Sequence, residues 1–195
     1  MREIILASFS ERRSKILSNC GIKHKVMPSG AHEKVDKSVS IIELVKMNAA
    51  KKAKTIAKKK KKAIIIGADT LVVHDGEFIG KPSDEKAARR MLERFSGDYL
   101  EVYTGVCVMC DELGKRAVGY EKSSIRVAGL SKKEVAEYFK LLAPYDKAGG
   151  FSIEDIGALI FDNISGSYFN ILGLPMMKLR ELFAEIGEDI LLYVR

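Results

Sequence analysis

The sequence has no apolar run near the roughly 20 residues that a membrane-spanning helix requires. Nor does it open like a signal peptide. The apolar start Ile4 to Ala7 is short, and Glu11-Arg12-Arg13 follows at once. A soluble, cytoplasmic protein with no membrane partner is the expectation. Cysteine is scarce: Cys20, Cys107 and Cys110 are odd in number and too few for a disulfide framework. Cys107 and Cys110 have CxxC spacing, but they sit in an apolar run that reads as a strand. The first and fourth residues of a strand point to opposite faces, and no second CxxC completes a zinc site. His24, His32 and His74 have no metal-ligand spacing and read as surface or turn residues. Walker A and GxGxxG sequences are both absent, which removes the support for a P-loop or a Rossmann dinucleotide site. There are no repeats and no linker, so residues 1–195 read as one domain.

What is present is an ordinary globular composition, 47% hydrophobic and 30% charged, in a chain long enough for a sizeable core. The net charge of +7 draws anions: nucleotides, nucleic acid or acidic membrane. Much of the excess lies in Lys58 to Lys62. This run closes a predicted helix, where cations suit the helix dipole, and no aromatic residue interleaves with it as a single-strand platform needs. It reads as a solvated helix end before it reads as a nucleic-acid patch.

Periodicity and turn residues give the order of elements. Ile4 to Ala7 is a short strand, and a helix over 11 to about 20 follows with Ser10 as N-cap. Ile22 to Met27 reads as a strand, Pro28 to Ser40 as a polar loop, and 41 to about 60 as a helix with Ile42, Val45, Ala49, Ala53 and Ile56 on one face. Ala63 to Ala68 is a buried strand ending at Asp69. Leu71 to His74 and Glu77 to Gly80 flank Asp75-Gly76, a two-residue hairpin signal. Pro82-Ser83-Asp84 opens a helix to about Phe95. Tyr99 to Cys110 and Arg116 to Ala128 read as long antiparallel strands joined around Gly114. Ser131 caps a helix to about Leu142. Ala158 to Phe161, Tyr168 to Ile171 and Ile190 to Val194 read as short strands, with a helix from Pro175 to Ile186. Strands and helices interleave, so the fold class is α/β: a mixed twisted sheet with flanking helices.

Three places can carry chemistry. In Ala7-Ser8-Phe9-Ser10-Glu11-Arg12-Arg13, a strand runs through a serine-bearing turn into a helix start. Free N–H groups there hold phosphates, and arginine adds bidentate donors. The plainer reading is a capped helix with surface arginines. Asp69 ends a buried strand, where α/β sheets place their ligand crevice, so it can bind Mg²⁺ or take a proton from water; a simple turn aspartate is as common. Counting back from an Asp75-Gly76 loop pairs His74 with Glu77 and, four steps on, Thr70 with Lys81. That register sets a lysine beside the Asp69-Thr70 step, as a phosphate-and-metal site needs or as a surface ion pair also gives. Glu33, Lys52 and the segment Asp146 to Glu154 are further candidates, each taken singly more often a solvated charge.

In these residues the chain resembles the Maf proteins, relatives of the inosine triphosphate pyrophosphatases. LASFSERR is similar to the family's L-A-S-x-S-x-R-R, and Lys52 stands 15 residues before Gly67 as the family's helix lysine does. IIIGADT, the Gly80-Lys81-Pro82 step, DKAGGF and GSYFNILGLP follow in the family's order. The resemblance spans essentially the whole chain. It implies an elongated two-lobed fold with a central cleft, and Mg²⁺- or Mn²⁺-dependent cleavage of nucleoside triphosphates between the α and β phosphates. It implies Asp69 as proton acceptor, and Ser8, Arg13, Glu33, Lys52 and Lys81 lining the phosphate and metal site, with Glu33 and Asp69 toward the metal. Arg12, Thr70 and Glu154 fall where the family sets base specificity. The dTTP/UTP branch has Arg, Thr and Gln there, the 7-methyl-GTP branch Glu at the third place. Arg12 and Thr70 match the first branch, while Glu154, in FSIED where that branch has I-Q-G, matches the second. A dTTP/UTP-type enzyme is the expectation, with a 7-methyl-GTP enzyme, a non-enzymatic regulator of septum formation and a basic nucleic-acid-binding module as rivals. Nucleic acid is not an expected partner; a homodimer is compatible with the family.

Overall fold

The computed structural model describes residues 1–33, 38–141 and 151–194. The candidate segment from Asp146 to Gly150 lies outside them. The first strand is β1 (Ile4–Leu6), fully buried, followed by α1 (Glu11–Asn19). Ser10 caps α1 by accepting from the Arg13 amide, and Glu11 supplies the negative charge that suits a helix start. The strand expected over Ile22 to Met27 shrinks to β2 (Lys25–Val26), while Ile22 makes an isolated bridge to Val194. The long helix α2 (Ile41–Ala57) is capped by Ser40 and buries Leu44, Val45, Asn48, Ala49, Lys52, Ala53, Ile56 and Ala57.

The next strand departs from expectation. β3 (Ile64–His74) runs without a break through Asp69, joining the two segments that the sequence separates. Asp69 is therefore mid-strand, not terminal. The parallel ladder between β1 and β3 pairs Ile4 to Leu6 with Ile64 to Ile66 and ends there, so Asp69 stands three residues past the place where β1 leaves the sheet. β3 keeps a later strand as its other neighbour in the sheet, and at its far end it gains the hairpin partner β4 (Glu77–Ile79), in the predicted register: Val72 with Ile79, Val73 with Phe78, His74 with Glu77. Asp75 and Gly76 make the turn with positive φ. The ladder stops at Ile79, because Gly80 brings no side chain and Pro82 no N–H, so it does not extend to pair Lys81 with Thr70.

α3 (Glu85–Phe95) is capped by Asp84, and β5 (Tyr99–Cys110) and β6 (Lys115–Val127) follow as predicted. α4 (Lys132–Leu141) begins with a reciprocal Ser131–Glu134 capping box. The remaining short apolar runs are too brief for their period to separate helix from strand. Asp155–Ile160 forms a 3₁₀ turn leading into β7 (Phe161–Ser165), Tyr168–Ile171 is a helical turn, α5, and Ile190–Tyr193 is 3₁₀. α6 (Met176–Glu185) is the predicted last helix. The strands form a seven-stranded mixed sheet, ordered β2-β1-β3-β5-β6-β7 with β4 beside β3.

The chain divides into two compact units. Met1–Thr70, Tyr103–Glu121 and Phe169–Arg195 make the first; Leu71–Val102 and Lys122–Tyr168 make the second. In the first, α2 lays Ala49, Ala53 and Ile56 on Ile5, Ile65 and Cys107. The small residues bring helix and strand close. A Cβ at Gly67 would overlap the carbonyl oxygen of Ala49 and lie 2.8 Å from the Ala53 amide nitrogen. In the second unit, Phe95, Phe151 and Phe161 stack edge to face, with centroids 6.4 and 5.4 Å apart.

Candidate active site

Two groups of side chains meet on consecutive residues of β3. The first centres on Arg13. Its guanidinium, almost wholly buried, donates from Nε to the Gly173 carbonyl at 2.7 Å, to Ser8 Oγ at 3.0 Å and to Thr70 Oγ1 at 2.9 Å. Ser8 Oγ also accepts from the Ser10 amide at 3.1 Å, which closes the turn at the start of α1. Gly173 is presented by a Schellman motif at the end of α5: its amide donates to the Asn170 carbonyl and the Leu174 amide to that of Phe169. Such a turn needs φ near +99°, and a Cβ there would stand 3.2 Å from Thr70 Oγ1. Thr104, fully buried, shares a 2.9 Å hydrogen bond with Thr70 and donates to the Asn170 carbonyl. Three of the five guanidinium N–H groups are spent in this way. Arg12 follows on the half-buried side of α1. Between the two hydroxyls of the turn stands Phe9, 80% exposed.

The second group centres on Asp69, which is 3% exposed. Lys52 Nζ donates to Asp69 Oδ1 at 2.7 Å and to Glu33 Oε1 at 2.6 Å, so one ammonium bridges two carboxylates. Asn48 Nδ2 donates to Asp69 Oδ2 at 3.1 Å. Burial pushes the Asp69 carboxyl above the usual range, and the Glu33 charge adds to this, while Lys52 and Asn48 pull it back. Glu33 is also penalised by burial, yet the Lys52 hydrogen bond and charge hold it below the usual range. Burial lowers the Arg13 pKa, against the attraction of Asp69 and Glu33, so both groups share one electrostatic neighbourhood.

The structure thus ties Ser8, Arg13 and Thr70 into one hydrogen-bonded set, and Glu33, Lys52 and Asp69 into another. Asn48, Thr104 and Gly173 were not anticipated from sequence. Asn48 left a signal as an amide on the buried stripe of α2, and Gly173 lies within the motif GSYFNILGLP. Lys81 and Glu154 belong to the second unit: Lys81 is exposed, and Glu154 is half-buried, with its amide donating to Ser152 Oγ at 3.3 Å. His74 is not a surface residue. It is 3% exposed, packs edge-on against Phe95, and its Nε2 lies 2.8 Å from Asp98. With Asp75 and Asp98 it makes the one His/Cys/Asp/Glu trio among the described residues close enough for a single ion. Cys107 and Cys110 are both buried, and desolvation pushes the Cys107 thiol up to about 12, as suits a structural cysteine.

The family model for Maf-like proteins matches residues 3–186. This chain belongs to the Maf family. Relatives of the Maf-like chain include proteins named dTTP/UTP pyrophosphatase. One from Dictyoglomus thermophilum is 42% identical over 191 residues, covering 97% of this chain and 99% of that protein. Another from Caldicellulosiruptor bescii is 38% identical over 195 residues, 98% of each. A third, from Aquifex aeolicus, is 38% identical over 184 residues, 94% and 95% of the two chains. Among solved structures, the Staphylococcus aureus Ham1 protein is similar to this Maf-like chain at a TM-score of 0.43 and 16% identity, over 66% and 73% of the two chains.

Proposed function

We propose that this Maf-family chain, acting over residues 1–195 as one catalytic domain, hydrolyses pyrimidine nucleoside triphosphates of the dTTP/UTP type to monophosphate and pyrophosphate. The observation that carries this is the Glu33–Lys52–Asp69 cluster beside Arg13, with Lys52 and Asp69 buried and Glu33 open to solvent: a carboxylate of raised basicity held among cations. The names of the relatives supply the substrate class. Glu33 and Asp69 are hard oxygen donors that already converge on one cation, the Lys52 ammonium, so the residues fit Mg²⁺ or Mn²⁺. When bound, the metal would neutralise phosphate charge and polarise the α-phosphate. Asp69 takes a proton from the water that attacks the α-phosphorus. The bond from that phosphorus to the bridging oxygen breaks, and pyrophosphate leaves with its charge held by Lys52 and the remaining donors of Arg13. Ser8 lines the phosphate turn at the start of α1, where amide groups face outward. Arg12 and Thr70 meet the base. Glu154 favours a second substrate reading: an ionised carboxylate only accepts hydrogen bonds, which suits the N–H edge of guanine or 7-methylguanine.

The test is a pyrophosphate-release screen of the purified protein over ordinary and modified triphosphates with Mg²⁺ and Mn²⁺. Turnover of UTP and dTTP to monophosphate and pyrophosphate is expected. Asp69→Asn should lower kcat at least ~10²-fold, the scale of losing a general base, without changing the circular-dichroism spectrum. Release of orthophosphate in place of pyrophosphate, or wild-type turnover by Asp69→Asn, would overturn the reading.

A further inference from the structure

Helix α2 sets two polar side chains one turn apart on its buried face, Asn48 and Lys52. They grip the two oxygens of a single carboxylate: Lys52 holds Asp69 Oδ1 and Asn48 holds Asp69 Oδ2. Asn48 is 3% exposed and Lys52 8%. Gly67 makes this grip possible. It lies two residues before Asp69 on the same face of β3, and the backbone of α2 closes over it at Ala49 and Ala53. A side chain as short as asparagine then spans from helix to strand. Apart from Lys52 the buried stripe of α2 is otherwise apolar, and a buried polar group in such a stripe is costly unless its hydrogen bonds are used.

We infer that Asn48 is a positioning residue for the hydrolysis, fixing the plane of the Asp69 carboxylate. The inference rests on Asp69 being the proton acceptor. Lys52 alone pins one oxygen and leaves the carboxylate free to turn about its Cβ–Cγ bond, a soft, two-fold torsion. A second donor on the other oxygen removes that freedom, so the lone pairs taken by neither donor keep one direction. The donor's neutrality matters. A second ammonium would draw the carboxylate's electrons further from a proton and add repulsion where Lys52 and Arg13 already place two positive charges. An amide orients without charge.

Four variants test this: Asn48→Ala, Asn48→Leu, which fills a similar volume without a donor, Asp69→Asn, and Asn48→Leu combined with Asp69→Asn, each with its melting temperature measured. Both Asn48 variants should lose about 10- to 100-fold in kcat, the scale of a misaligned reacting group, with KM within about twofold. In the Asp69→Asn background, Asn48→Leu should add less than about a twofold further loss, because a residue acting through Asp69 has nothing left to position. Should the alanine variant fail to fold, the leucine variant carries the comparison. Wild-type kcat in Asn48→Leu, alongside an inactive Asp69→Asn, would overturn the role of Asn48 and leave that of Asp69 standing. Wild-type turnover in Asp69→Asn would take down the reading of Asp69 itself, and the positioning role with it.

Discussion

Arg13 is a buried cation that makes no direct ion pair among the described residues; its guanidinium donates to oxygens of the turn after β1, of β3 and of the turn after α5. The planar fork of arginine reaches three directions at once, which a lysine ammonium cannot do in the same plane. The neighbouring negative charges of Asp69 and Glu33 compensate its burial at one remove. Glu154 poses the opposite problem at the same scale. It precedes Asp155, which adopts a left-handed φ of 55° where the dTTP/UTP branch's I-Q-G has glycine. If Glu154 faces the base, Glu154→Gln shifts preference toward dTTP and UTP. Uracil and thymine carry carbonyls on either side of one N–H; a carboxylate is repelled by them, whereas glutamine can turn its NH₂ toward one. An unpaired group there costs about 1–3 kcal/mol, or roughly 5- to 150-fold in discrimination. The measurement is kcat/KM for UTP, dTTP, GTP and 7-methyl-GTP in both proteins at one pH. An unchanged ranking would remove Glu154 from base recognition.

Helix α2 and strand β3 meet at Gly67, and the contact dictates their separation. Gly67→Ala forces the strand against the Ala49 carbonyl, and backbone cannot swing aside as a flexible side chain can. The cost should be about 3 kcal/mol, at the upper end for overpacking, a drop of roughly 6–12 °C in melting temperature for a chain of this size. A change under about 1 °C would show that helix and strand can part without penalty. Much of this level was legible in sequence. The Asp75-Gly76 turn set the hairpin register, and Ser10, Asp84 and Ser131 marked their helix starts, because caps and turns act through neighbours in the chain. The serine turn, Lys52 and Asp69 were legible as motifs. The continuity of β3 was not, since Asp69-Thr70 looks like a strand end until β5, from a distant segment, is seen beside β3 in the sheet. Nor was burial of His74, which depends on Phe95 and Asp98, more than twenty residues away. Thr104 and Gly173 were missed for the same reason: their partners come from distant segments.

At the scale of the whole molecule, charge is unevenly spread. The net +7 owes most of its excess to Lys58 to Lys62, all exposed beyond the end of α2. Lys59 lies seven residues past Lys52, roughly 10 Å along a helix axis at 1.5 Å per residue. At physiological salt the screening length is ~8 Å. Replacing Lys59, Lys60 and Lys61 with Gln should therefore leave kcat/KM within about threefold, as the screening argument requires. A large loss of kcat/KM at that salt would place the run on the substrate's path. The sequence contains no tryptophan, and Phe9 projects from the serine turn almost as far as a free side chain. Together these make the protein optically silent in the indole band while holding an aromatic ring on the turn proposed to take the phosphates. A tryptophan substituted for Phe9 would be the molecule's sole indole emitter, and its fluorescence would report the arrival and departure of a triphosphate in real time, without any label attached to the nucleotide.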